Sequence, residues 1–410
     1  MEEIGLNRTG LGDSMASEQA KQSRAEQTAS GNRKPLLLIF IDGFPHYVLK
    51  KDNFFIGQLD TVAPLQPGFG FSVNIFAELY AGLTPDDAGY LNIWELEQGD
   101  DFGRTAVRVA PLKKAAQRIV DRFTRRPQQF SRLLHKVYER IVHEGNIGNI
   151  PFSYLPYFRR SSGARPINYI FDEPGMMVFR HEQIPGSIWD RDEAAYARAL
   201  DSVKRGDSVF VTFGSLDHTG HLAGPGSPRF VQRAKLVDGW CKEMIEAFLA
   251  AHSQDGHVVI CSDHGHTDVH ATVSLDFEKR FGKPGFDTYW YFLDSTMARV
   301  WVKDQQLRGR IAEFLGHHPD GTLLDDAKRA EYGISNQSFM DLLFVLHAGK
   351  TLWPSWTGGR FPKGMHGYLP KEPSQQGIFV FHGPDAAKEH PLPLPIRSRD
   401  VYHFLRRLAD

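Results

Sequence analysis

Residues 208–227 read SVFVTFGSLDHTGHLAGPGS, and residues 257–268 read HVVICSDHGHTD. Each is a short apolar run followed at once by a polar cluster containing glycine. Between them, residues 227–256 place Phe230, Ala234, Val237, Trp240, Met244 and Phe248 three or four positions apart, the period of a helix with one buried face. Strand, helix, strand is a βαβ unit, and a βαβ unit implies parallel strands. A third run, PLLLIFIDGF at 35–44, repeats the pattern. It is bounded by Pro35 and Gly43 and reads as a central strand covered on both faces. The expected fold class is therefore α/β with a mostly parallel central sheet. Ligands of such sheets bind beyond the carboxyl ends of the strands, which is where the polar clusters fall.

The rest of the chain sets bounds. Its 410 residues are 41 % hydrophobic and 24 % charged, an ordinary globular mixture. A formal net charge of -1 gives no global field for a nucleic-acid polymer or an anionic membrane. Cys241 and Cys261 are the only cysteines, and both read as small buried residues. No apolar run reaches the roughly 18 residues of a membrane span. The polar N-terminus lacks the apolar segment of a signal peptide. Residues 1–33 are expected to form a mobile tail, and the location to be cytoplasmic. No oligomeric state follows. From about 101 to 160 basic residues far outnumber acidic ones. This segment reads either as a solvated helical face or as an insertion that caps the site and offers cations to an anionic substrate.

Four separated pieces offer metal-binding groups. Asp42 ends the first strand; Asp217 and His221 flank Gly220, read as a tight turn; Asp263 and His264 are adjacent; His366 lies in the glycine-flanked KGMHGY loop. Taken singly, Asp42 and Ser72 could be helix caps and His366 an ordinary loop histidine. Together they are the oxygen and nitrogen donors zinc takes at catalytic sites. Six are too many for one tetrahedral ion and suit two. Paired ions about 4 Å apart are used in phosphoryl transfer. Ser72 follows the glycine-rich turn of QPGFGFSVNIF, at a candidate helix N-terminus that favours a phosphoryl anion.

On these residues, roughly 35–95 and 205–385, the chain resembles the alkaline phosphatase superfamily, in its type I phosphodiesterase / nucleotide pyrophosphatase branch. The resemblance implies an alkaline-phosphatase-like three-layer sandwich over 34–410, with a helical and aromatic cap insertion at about 101–190. It assigns Asp42, Ser72, Asp263 and His264 to one ion, and Asp217, His221 and His366 to the other. AGLTPDDAGY at 81–90 resembles the signature that follows the nucleophile, which singles out Ser72. The implied activity is hydrolysis of a small phosphodiester or pyrophosphate through a phosphoserine, with two divalent ions, zinc before manganese. Asn92, or Asn74 as second candidate, is expected to bind a phosphoryl oxygen. Arg159 and Arg160 are candidate substrate contacts from the insertion. The aromatic that stacks a nucleobase in nucleotide-specific members is here Val73. The alternatives are a phosphomonoesterase of the same superfamily and, in a different class, a metal-stabilised binding protein without turnover.

Overall fold

The computed structural model of the chain describes residues 34–96, 154, 158–160, 167–172, 175–285, 287–356, 361–384 and 392–409. The expected tail at 1–33 and residues 101–153 of the expected insertion lie outside the described residues.

The central sheet contains β1 (Leu36–Ile41), β2 (Thr61–Gln66), β3 (Met176–Arg180), β4 (Ser208–Phe213), β5 (His257–Cys261), β6 (Gly377–His382) and β7 (Ile396–Arg397), in the order β7-β2-β6-β5-β1-β4-β3. β1 runs parallel to β4 and β5, and β3 parallel to β4. Only β6 opposes its neighbours, β2 and β5. Side chains of a strand alternate between faces. Leu37, Ile39 and Ile41 therefore pack on one side of the sheet, and Leu38 and Phe40 on the other. The first side is covered by α2 (Ile188–Lys204) and α4 (Pro228–Ala251); the second by α1 (Ser72–Ala81) and α5 (Ser398–Ala409). The result is the expected three-layer sandwich with a mainly parallel sheet.

The helices start where their sequences dictate. Ser227 accepts a hydrogen bond from Phe230 N, and Pro228 occupies the first position of α4. Each fully buried Phe or Met on this helix contributes about 1.5–3 kcal/mol. Cys241 and Cys261 are buried and unpaired. A second, antiparallel sheet joins Tyr289–Leu293, Met297–Val302, Leu342–Leu346 and Gly321–Leu323 around an aromatic core.

Two expectations are corrected. Residues 176–190 belong to the core and not to a cap, since β3 hydrogen-bonds to β4 and α2 starts at Ile188. Gly220 is not in a turn. It lies inside α3 (Ser215–Ala223), so Asp217 and His221 project from one helical turn. The four-residue spacing permits either reading; what selects the helix is that Asp192, from α2, accepts hydrogen bonds from Gly214 N (3.0 Å) and Ser215 N (2.9 Å) and so caps it.

Candidate active and metal site

Three acidic residues gather at the carboxyl edge of the sheet. Asp42 directly follows β1, and its N–H donates to Phe213 O at 2.9 Å, prolonging the ladder. Asp217 sits in the first turn of α3, after β4. Asp263 follows β5 and accepts from Gly43 N at 3.2 Å. His366 arrives from the far end of the chain, because Gly364–Met365 pairs antiparallel with Thr267–Asp268. Its ring stacks on His264 at a centroid distance of 3.6 Å.

Ser72 is the first residue of α1. Its Oγ lies 2.9 Å from His264 Nε2 and 3.5 Å from Asp42 Oδ1. His264 Nε2 is 3.5 Å from Asp42 Oδ1 and 3.3 Å from Asp263 Oδ2. Two ligands of one tetrahedral zinc, each about 2.0–2.2 Å from it, lie roughly 3.3 Å apart. The first group has that spacing. The second has it too: Asp217 Oδ2 to His221 Nε2 is 3.4 Å, and Asp217 Oδ1 to His366 Nε2 is 3.6 Å. In each group the donor atoms lie within 4.8 Å of one another.

Protonation favours the same reading. His264 Nδ1 donates to Gly265 O (2.9 Å) and His221 Nδ1 to Gly364 O (3.0 Å), so both rings turn Nε2 towards carboxylate oxygens. Burial opposes it, but Asp217 raises His221 above the usual imidazole range. Asp263 Oδ2 is buried with no hydrogen-bond partner among the described residues. His264 Nε2 stands 3.3 Å from Asp263 Oδ2, the spacing of two ligands on one cation. Burial, then the charges of Asp263 and Asp217, holds Asp42 well above the usual carboxylate range. Burial also raises Asp263, against the pull of His264. Burial and His264 keep His366 well below the usual imidazole range. The pocket is over-supplied with carboxylate and short of cation, and its donor set fits two divalent ions.

Asp42, Ser72, Asp217, His221, Asp263, His264 and His366 thus converge. The remaining candidates do not join them in the same way. Asn74 is corrected: its Oδ1 accepts from Phe71 N at 3.0 Å and its amide donates to Phe69 O, so it closes the turn before Ser72. Asn92 is buried; its amide donates to Asp294 Oδ1 (2.7 Å) and its oxygen accepts from Ile93 N. Arg159 and Arg160 pair through their backbone with Glu95 and Trp94, and their side chains lie outside the described residues.

Sequence reasoning missed His266. It is fully buried, and its Nε2–H donates to Asp217 Oδ1 at 2.7 Å. Burial pushes it down to about 4, so the ring stays neutral. Its signal was the fourth polar residue in SDHGH, two positions after His264.

Residues 151–369, more than half of the chain, match the family model for type I phosphodiesterase / nucleotide pyrophosphatase. The chain belongs to that family. As a type I phosphodiesterase / nucleotide pyrophosphatase family member it is a hydrolase acting on phosphoester bonds. The matched span holds Asp217, His221, Asp263, His264, His266 and His366, whereas Asp42 and Ser72 precede it and join the cluster only through the fold. No curated relative matches the chain by sequence. Among solved structures it is similar to murine ectonucleotide pyrophosphatase / phosphodiesterase 5. One such structure is an inactive threonine-to-alanine variant in complex with AMP; the TM-score is 0.60 at 17 % identity, covering 92 % of this chain and 95 % of that one. The human counterpart gives 0.56 at 17 % identity over the same shares. At this identity the likeness carries the fold.

Proposed function

We propose that this family member cleaves small phosphodiesters or pyrophosphates through Ser72, on a site for two divalent cations, zinc before manganese. The observation that carries the reading is the Ser72 hydroxyl at 2.9 Å from His264 Nε2, at the head of α1 and beside the carboxylate of Asp42. Asp42, Ser72, Asp263 and His264 would hold one ion, and Asp217, His221 and His366 the other. When bound, the ions supply Lewis-acid polarisation and neutralise developing charge.

The residues do the rest. Ser72 Oγ would lose its proton and form a bond to phosphorus as the bond to the ester or anhydride oxygen on the opposite side breaks and that oxygen gains a proton. Water would then bond to phosphorus, the P–Oγ bond would break, and a proton from the water would restore the Ser72 hydroxyl. The N–H groups at the start of α1 favour a phosphoryl anion at that position. Asn92, tethered to Asp294, is the side chain proposed to meet a phosphoryl oxygen. AMP in the mouse relative makes nucleoside phosphates the first substrate class to test. Val73 removes one stacking aromatic next to Ser72, but Phe71 precedes it and lies edge-on to His366 at 5.5 Å.

One observation favours a phosphomonoesterase as second reading. Arg180, at the carboxyl end of β3, sits 5.0 Å over the ring of Phe76, one helical turn beyond Ser72. A guanidinium there suits the extra charge of a monoester, although Glu182 at 3.5 Å already balances part of it.

The test pairs bis-p-nitrophenyl phosphate with p-nitrophenyl phosphate on zinc-loaded protein. Diester preference supports the first reading and monoester preference the second. Full activity in Ser72→Ala with zinc retained removes Ser72 as nucleophile.

A further inference from the structure

We infer that His266 is a positioning residue for Asp217, a role on which the binding of the second ion depends; the inference rests on the two-ion reading above. Asp217 is the one carboxylate in the group with His221 and His366, and both of its oxygens face imidazole nitrogens: Oδ2 faces His221, and Oδ1 faces His366 at 3.6 Å and His266 at 2.7 Å. The first two spacings are those of co-ligands. The third is a hydrogen bond. His266 therefore holds one oxygen of Asp217 and sets the plane of the carboxylate, leaving its other lone pairs for an ion.

The surroundings are built for this imidazole. A Cβ on Gly220 would come within 2.8 Å of His266 Cε1 and Nε2. One on Gly43, which has a φ of +70°, would come within 3.0 Å of His266 Cδ2. Two glycines, one in α3 and one after β1, thus make the space the ring fills. Tyr47 fixes the backbone beneath it, donating its hydroxyl to His266 O at 3.0 Å. The rings of His221, His366 and His264 surround it at 4.9, 5.3 and 5.7 Å. An imidazole held by that many fixed neighbours has one orientation, and that orientation aims Nε2–H at Asp217.

The experiment measures zinc stoichiometry and affinity of the full chain by competition with a chromophoric chelator, with circular dichroism to report folding. Wild-type protein is expected to take up two ions; failure there removes the two-ion reading itself. His266→Met, which keeps the volume and deletes the donor, is expected to weaken one of the two ions by about 10–100-fold and leave the other within about threefold. His266→Gln, which keeps an N–H near the same position, is expected to bind both within about threefold. Gly220→Ala, whose three nearest new contacts are all atoms of the His266 ring, is expected to reproduce the Met result. Two wild-type affinities in His266→Met or in Gly220→Ala overturn the proposal. So does a loss beyond tenfold in His266→Gln, because the donor would then not be what matters.

Discussion

At the carboxyl edge of the central sheet, Asp42, Asp217 and Asp263 share one pocket with four imidazoles. In the antiparallel sheet, Asp294 and Arg299 are each 0 % exposed and meet at 3.0 Å. The second region sets one charge against the other, although Arg299 Nη1 too has no hydrogen-bond partner among the described residues. Asp294 also accepts from Asn92, and Arg299 donates to Trp94 O at 2.7 Å while resting 5.0 Å over Phe292. Burial still pushes Asp294 up to about 6, but Arg299 opposes it. The first region leaves Asp263 Oδ2 without a hydrogen-bond partner among the described residues, and burial with the charges of Asp263 and Asp217 holds Asp42 well above the usual carboxylate range. A buried pair that serves the fold neutralises itself. A buried cluster that serves chemistry keeps a deficit, here of positive charge, for something to fill.

The sharpest way to break this contrast is Ser72→Ala. It removes one ligand and leaves Asp42, Asp263 and His264 to hold that ion, so both zinc ions should still bind and the fold should hold while hydrolysis falls by about 10⁴-fold or more, as expected for a nucleophile within a concerted unit. Single-turnover assays on the loaded protein check it. Chelation comes next. Stripping metal should lower stability by about 4 kcal/mol for each ion held at a thousandfold excess over its dissociation constant, and added zinc should restore it. Thermal melts in chelator and in zinc measure this; equal melting points would mean the deficit is not filled by metal.

Arg299→Met applies the opposite perturbation. It should cost about 3–5 kcal/mol by leaving Asp294 buried and unpaired, with or without zinc. The double variant with Asp294→Asn should recover much of that loss. Urea titrations read both. Glu78 offers the smallest and finest comparison, because it is a buried carboxyl on α1 that burial pushes up to about 8, with Arg399 pulling the other way. Its folded-state value lies above its unfolded one. The stability it contributes is therefore full below about 4.5 and lost as pH rises through about 8. Glu78→Gln should flatten that slope by about 2–3 kcal/mol between pH 6 and 9, read by urea titration at each pH.

Much of this was legible along the chain. The apolar runs at 36–41, 208–213 and 257–261 identified central strands, because covering both faces demands unbroken hydrophobicity. The helix at 228–251 announced itself by its period and by Ser227-Pro228 at its start. The polar residues that follow each strand pointed to the site, since strand ends in a parallel sheet are where a chain can leave polar groups near a ligand. Asp42, Asp217, His221, Asp263, His264 and His366 stood out by residue type and placement, and Ser72 was singled out by the resemblance of residues 81–90 to the family signature.

What sequence left open were matters of long-range contact. Gly220 became helical because Asp192, 22 positions before Gly214, caps α3. Asn74 turned away from the site because the backbone of residues 69–71 claimed both ends of its amide. His266 acquired a partner only when α3 packed against the loop after β5. Local pattern reports which residues share a face, because strand and helix periods are properties of the backbone. Which donor meets which acceptor 49 positions away along the chain is decided by packing, and only the tertiary structure holds that.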